Sequence, residues 1–242
     1  MTNIHDRITV QPRSVIPFPD DLDDEDPVER RLVLLLCLDT SGSMRGRSIQ
    51  EVNDKLGTWF AELRRNPYYA RALEVALVTF GEGGVCAWRG PERVAYRDAG
   101  PGTFVPLSEF RPPQLRADGN TPMGEALRRS IDLIDQRKKF LRRHAEQVYR
   151  PLLWLVTDGA PTDPWEPLIQ RIADAERNGH LQLHAVGVGA GASGERRRVL
   201  EALSPARNYE LNVNIEGLLA RMTDSIDQVR GRDQTTNWRR RP

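Results

Sequence analysis

From Leu32 to Leu38 every position is apolar, and the run then breaks into Asp39, Thr40, Ser41, Gly42 and Ser43. A continuous apolar stretch that ends in turn chemistry describes a strand buried on both faces, central in a parallel sheet. Between Arg47 and Arg64 the pattern changes: Ile49, Val52, Leu56, Trp59, Phe60 and Leu63 recur at helical spacing, and Pro67 is expected to stop that helix. Leu73 to Phe80 (LEVALVTF) predicts a second strand. Gly81, Gly83 and Gly84 turn into Val85–Trp88, and Gly90-Pro91 turns into Val94–Tyr96, which predicts a hairpin of edge strands. Asp98 to Gly119 carries Pro101, Pro106, Pro112 and Pro113 with no periodicity and predicts a long loop. At its end Thr121 is placed to cap a helix whose first position is Pro122. That helix runs to about Val148, with Met123, Leu127, Ile131, Ile134, Leu141 and Val148 on one side.

The second half repeats the alternation. Pro151–Thr157 (PLLWLVT) is a buried strand ending in Asp158-Gly159, Pro167–Arg177 a helix, and Leu181–Val188 a strand. Arg196–Leu203 is a short helix, Asn208–Val213 a last strand, and Ile215–Val229 a closing helix. Strands alternating with helices give one α/β domain, doubly wound, with a mostly parallel central sheet flanked by helices and one antiparallel edge hairpin. We bound it at residues 31–230, between an N-terminal arm (1–30) and a polar, basic tail (231–242). The arm holds four prolines and an acidic cluster from Asp20 to Asp26, and the alternation of Ile8 and Val10 predicts a short edge strand. The cluster lacks the glycine and spacing of a calcium-binding EF-hand loop and reads as a solvated linker.

Composition narrows the function classes. With 39% apolar and 29% charged residues and a formal charge of +1, the 242-residue chain suits a globular protein with no global attraction to nucleic acid or membrane. No apolar run approaches the roughly 18 residues that span a bilayer. The polar stretch Met1–Val10 has no secretory hydrophobic segment, so a cytoplasmic location is expected. The two cysteines, Cys37 and Cys86, lack metal-ligand spacing, and Cys37 reads as a small core residue.

The chemistry gathers at three strand ends. In open α/β sheets ligands bind beyond the carboxyl ends of the strands. If the three ends are neighbours, Asp39, Ser41, Ser43, Thr121 and Asp158 form an all-oxygen set suited to a hard divalent cation such as Mg²⁺, with Mn²⁺ or Ca²⁺ as substitutes. Hydroxyls neutralise little of an ion's charge, so such a centre seeks an anionic ligand from outside.

The string DTSGS at Asp39–Ser43, the distant threonine of Gly119-Asn120-Thr121-Pro122 and the aspartate of Thr157-Asp158-Gly159 resemble the metal-ion-dependent adhesion site of von Willebrand factor A domains. The resemblance covers roughly residues 30–230. It implies that Ser41, Ser43 and Thr121 ligate Mg²⁺ directly, and that Asp39 and Asp158 do so directly or through water. The phrases FVPLSEFRPP, GNTPMGEAL and VTDGAPTD look like the bacterial TerY-like branch, associated with tellurium resistance and the stress response. That branch often has two glycines before its threonine-proline pair, where this chain has Gly119-Asn120. The resemblance implies a protein partner that supplies a Glu or Asp to the metal, with a kinase or phosphatase signalling component as a candidate. Met44, Arg45, Asn120, Asp163 and Trp165 are the expected partner-binding rim.

The alternatives are a metal-dependent hydrolase or phosphatase using the same strand-end carboxylates and a nucleic-acid binder working through the basic helix, and both find less support. A haloacid-dehalogenase-type phosphatase needs a second acid two residues after its nucleophilic aspartate, and that position is Ser41. An aspartic protease needs two carboxylates sharing a proton, and the amphipathic helix after DTSG does not suit its barrel. No G-x-S-x-G elbow is present. His5, His144, His180 and His184 are scattered, and His184 alternates with apolar neighbours as a satisfied core residue would. A nucleic-acid reading would rest on Arg128, Arg129, Arg137, Lys138, Lys139, Arg142 and Arg143, which read as the solvated face of an amphipathic helix, and on Arg239–Arg241.

Overall fold

The computed structural model describes residues 30–144, 146–189, 194–211 and 215–238. The edge strand expected at Ile8 and Val10, the acidic cluster and Arg239–Arg241 lie outside the described residues.

The apolar run forms β1 (Leu32–Thr40), buried at every position. A single 3-10 turn, Gly42–Met44, leads into α1 (Arg47–Arg64). Helix α1 ends before Pro67, and that proline opens a second helix, α2 (Pro67–Ala72), because the Asn66 side chain accepts from the Tyr68 and Tyr69 N–H groups. There follow β2 (Leu73–Gly81), β3 (Gly84–Arg89) and β4 (Glu92–Val94). Strand β4 begins directly after the Gly90-Pro91 turn, two residues earlier than expected, with Arg89 opposite Glu92. The proline-rich stretch is no plain loop. It contains a short strand, β5 (Val105–Pro106), paired antiparallel with the start of β2, and it buries Leu107, Phe110 and Leu115. Phe110 packs against Phe60 of α1 with ring centroids 4.6 Å apart.

Helix α3 (Met123–Arg143) is shorter than expected at its carboxyl end, because Val148 instead bridges Arg31 beside β1. Then come β6 (Leu152–Thr157), α4 (Pro167–Arg177), β7 (Gln182–Val188), α5 (Gly194–Leu203), β8 (Asn208–Leu211) and α6 (Ile215–Trp238). The closing helix thus continues past Val229.

Strand order is β4-β3-β2-β1-β6-β7-β8, parallel from β2 through β8 and antiparallel at β2-β3 and β3-β4. Side chains alternate across β1: Leu32, Leu34, Leu36 and Leu38 pack with α1, α2 and α6, while Val33, Leu35 and Cys37 pack with α3, α4 and α5. Both faces are therefore covered, which is why β1 has no polar position before Asp39. From β1 the chain crosses to β2 on one side and later to β6 on the other. The switch in direction leaves a crevice at the carboxyl ends of β1 and β6, where such sheets bind ligands. Among the described residues no helix is long and apolar enough to cross a membrane.

Candidate metal centre

Asp39, next to the last residue of β1, lies inside that crevice and is 2% exposed. Its Oδ1 accepts from the Ser41 N–H (2.8 Å), and its Oδ2 accepts from the Thr157 hydroxyl at the end of β6 (2.5 Å). Burial pushes the Asp39 carboxyl up to about 6; the bonds from Ser41 and Thr157 pull the other way, and the neighbouring Asp158 charge adds a smaller rise. Ser41 and Ser43 follow on the 3-10 turn with their Oγ atoms 3.0 Å apart, and Ser43 Oγ donates to Asp158 Oδ1 at 2.7 Å. Ser41 is buried, Asp158 half-buried and Ser43 exposed, so the row of oxygens opens to solvent on one side.

Thr121 reaches the same place through its loop. The Gly42 N–H donates to Gly119 O (3.0 Å), and Asp118 N–H to Thr40 O (2.9 Å). Gly119 is in the left-handed region at φ 79°, and a Cβ there would stand 2.7 Å from Gly81 O, so the close approach of the loop to β2 requires glycine. Thr121 does not cap α3: Pro122 occupies the cap position and makes no side-chain bond. The cap comes from Asp163, whose carboxylate accepts the Gly124 and Glu125 N–H groups at 2.8 and 2.7 Å. With the Thr121 N–H held by Thr162 Oγ1 (3.2 Å), the loop after β6 is laced to the start of α3. A Cβ on Gly159 would lie 3.7 Å from Thr121 Oγ1 and 3.9 Å from Ser43 Oγ, so glycine there leaves open the space between these two hydroxyls.

All five expected ligand positions therefore meet. Among the described residues no group of three or more His, Cys, Asp or Glu side chains could hold a metal ion, so any metal held here depends on the hydroxyls. Three hydroxyls, two carboxylates and the space beside Gly159 fit a hard, oxygen-seeking divalent cation. The same geometry argues against Asp39 as a nucleophile, since both its oxygens are engaged below the surface.

The expected rim fares unevenly. Met44 is 2% exposed and packs in the core with α1 and α6, so it cannot touch a partner; the 3-10 turn points it inward. Arg45 is exposed and pairs with Asp118 across the mouth of the site, and Asn120 is exposed. Asp163 serves as the α3 cap, and Trp165 is half-buried against the α3–α5 side of the core. Sequence reasoning missed Thr157, which anchors Asp39, and Arg196, which reaches the Asp158 backbone from α5.

The family model described as von Willebrand factor type A domain matches residues 34–222. Among solved structures, the chain is similar to the pilus adhesin SpaC from Lactobacillus rhamnosus GG in its open conformation, with a TM-score of 0.57 and 13% identity over 83% of this chain and 30% of that one. A second structure of that adhesin gives a TM-score of 0.53 at 14% identity, again over 83% and 30%. The manganese-loaded TRAP protein of Plasmodium vivax is similar at a TM-score of 0.43 and 17% identity, over 79% of this chain and 72% of that one. The chain thus spans under a third of the adhesin's length, and the likeness is one of fold. No curated protein sequence matches the chain.

Proposed function

The chain belongs to the von Willebrand factor type A domain family, and on that premise we propose that it is a metal-dependent protein-interaction module without catalysis of its own. Asp39, Ser41, Ser43, Thr121 and Asp158 hold a divalent cation, Mg²⁺ in the first place, and present it to a Glu or Asp side chain of a partner protein. The ion, when bound, supplies an electrophilic position for a carboxylate oxygen. The observation that carries the reading is the row from Ser41 through Ser43 to Asp158, open on one side and backed by the buried Asp39. Ser41, Ser43 and Thr121 would ligate through neutral oxygens and leave most of the charge for the partner. Arg45, Asn120 and the exposed parts of the loop after β6 would select that partner. The likeness of GNTPMGEAL and VTDGAPTD to the TerY-like branch supports a bacterial cytoplasmic stress-response or signalling setting, with a kinase or phosphatase component as the partner.

The test is a thermal melt of wild type and Ser41→Ala in EDTA, Mg²⁺, Mn²⁺ and Ca²⁺. A ligand that binds only the folded state raises its melting temperature with concentration. A rise with Mg²⁺ or Mn²⁺ in wild type and none in Ser41→Ala is expected. Equal melting of wild type in EDTA and in every metal would overturn a preformed centre.

A further inference from the structure

Arg196, on the first turn of α5, is 1% exposed, an unusual burial for an arginine. Its Nη1 donates to the backbone carbonyl of Asp158 at 2.7 Å and to that of Val188 at 2.9 Å. Its Nη2 donates to Glu210 Oε2 at 2.7 Å. One guanidinium thus joins the carboxyl ends of β6 and β7 to β8. Space for it exists because residue 187 is glycine: a Cβ there would stand 2.9 Å from Arg196 Nε and 2.5 Å from Glu210 Oε2.

Burying the Arg196 guanidinium is a poor way to gain stability, since its desolvation consumes much of the attraction to Glu210, whose side chain stays partly exposed. What charge-assisted bonds in fixed directions supply is geometry. Here the geometry concerns the residue whose carboxylate accepts from Ser43. Asp158 lies just beyond the last residue of β6, where the sheet ladder with β7 no longer holds the chain: the last β6–β7 pair is Thr157 with Gly187. Its carbonyl is fixed instead by Arg196. Holding that carbonyl fixes the peptide plane and, through it, the direction in which the Asp158 side chain leaves the backbone.

We propose that Arg196, held by Glu210 over Gly187, is a positioning residue that aims the Asp158 carboxylate at the metal, so that metal affinity depends on an ion pair that never touches the ion. This rests on the reading of the site as a metal centre. It assigns Arg196 a part distinct from sewing strands together, and the two parts are separable. Arg207 offers the comparison. At the opposite ends of the strands its Nε donates to Leu183 O (3.0 Å) and its guanidinium pairs with Glu176, with no contact to the site.

The experiment is a Mn²⁺ titration followed by the electron paramagnetic resonance signal of the free ion, on wild type, Arg196→Lys, Glu210→Gln and Arg207→Lys, each checked for fold by circular dichroism and melting temperature. Lysine keeps the charge of Arg196 but cannot reach two carbonyls and a carboxylate together. Loss of an outer partner of a metal ligand weakens binding roughly tenfold to a hundredfold. A loss of about tenfold or more in Arg196→Lys and Glu210→Gln, with Arg207→Lys binding as wild type, is the expected result. Folded Arg196→Lys and Glu210→Gln proteins that melt lower yet bind Mn²⁺ as wild type does would overturn the proposal and leave the metal centre standing. A wild type that binds no Mn²⁺ would overturn the metal reading itself, and this inference with it. If Arg196→Lys does not fold, Glu210→Gln decides alone.

Discussion

Asp39 is costly to the metal-free protein. Its carboxyl is buried and raised from 3.8 to about 6, so at neutral pH it is ionised in both the folded and the unfolded chain, but at a penalty only in the folded one. A rise of that size corresponds to at most about 3 kcal/mol. The bonds from the Ser41 N–H and Thr157 hydroxyl orient the carboxylate without repaying its full desolvation. A nearby divalent cation would. Replacing Asp39 by Asn keeps the volume and removes the charge. Metal-free Asp39→Asn is therefore expected to be more stable than wild type at pH 7, by about 1–3 kcal/mol in urea unfolding, while showing no rise in melting temperature with Mg²⁺. A variant less stable than wild type in EDTA would show that the charge is compensated within the protein.

At the scale of elements, the site is assembled by loops that borrow each other's hydrogen-bonding groups. Asp163 caps a helix 39 residues away in sequence, and without it the first turn of α3 loses an acceptor for two N–H groups. Asp163→Ala should cost about 1 kcal/mol or somewhat more in urea unfolding. It should also lower Mg²⁺ affinity, since Thr121 stands directly before that turn; unchanged stability would mean that the cap is replaced by solvent. The same contact explains what could be read in advance. The buried strands and the amphipathic α1 and α3 were legible because their burial writes a local period into the chain. That Asp39, Ser41, Ser43, Thr121 and Asp158 come together was legible because each stands near the end of such a strand or the start of such a helix. The start of α3 was misread because Thr121 is a fitting cap by type, and nothing local reveals a competitor arriving from the loop after β6. Pro67 does follow the end of α1, as its chemistry predicts, but the helix it opens was not legible: a proline that cannot continue one helix is well suited to open the next when Asn66 precedes it. Met44 follows the hydroxyl turn directly and so read as rim, but one 3-10 turn is enough to point it into the core. Arg196 has no sequence signal at all, since its partners lie on three strand ends.

For the molecule as a whole, charge is organised by fold position, and this decides how acid acts on it. Of the basic residues on α3, Arg137 is spent on Glu74 of β2 (Nε to Oε2, 2.8 Å), and Lys138 is buried with its amine on His180 O at 2.9 Å. The surface that would attract nucleic acid is smaller than the sequence suggests. In the core, His184 of β7 stacks on Trp154 of β6 with centroids 4.2 Å apart, and lies 6.2 Å from Tyr209 of β8. Its Nε2 meets the Gln182 amide at 2.8 Å, but its buried Nδ1 has no hydrogen-bond partner among the described residues, so the ring is less satisfied than its place in the strand implied. Burial, with the Arg207 charge as a smaller cause, lowers its pKa to about 3. The unfolded chain takes up this proton below about 6.5 and the folded chain only near 3, so His184 removes stability as pH falls through that window. Asp39 acts in the opposite sense. Its folded form is protonated below about 6 and its unfolded form below 3.8, so the penalty of its charge fades between those values. Each slope is at most about 1.4 kcal/mol per pH unit, and between pH 6 and 4 they oppose. Metal-free wild type should accordingly lose little stability over that range, whereas Asp39→Asn, freed of one slope, should lose on the order of 1 kcal/mol per unit. Carboxylates held low by their neighbours, such as Asp118 beside the Gly119 N–H and Arg45, weigh on both proteins alike and cancel in the difference. A bound cation would hold Asp39 ionised, so wild type in saturating Mg²⁺ should regain the steeper dependence. Urea unfolding of both proteins at pH 7, 6, 5 and 4, with and without metal, measures these slopes, and parallel curves for wild type and Asp39→Asn in EDTA would remove Asp39 from the balance.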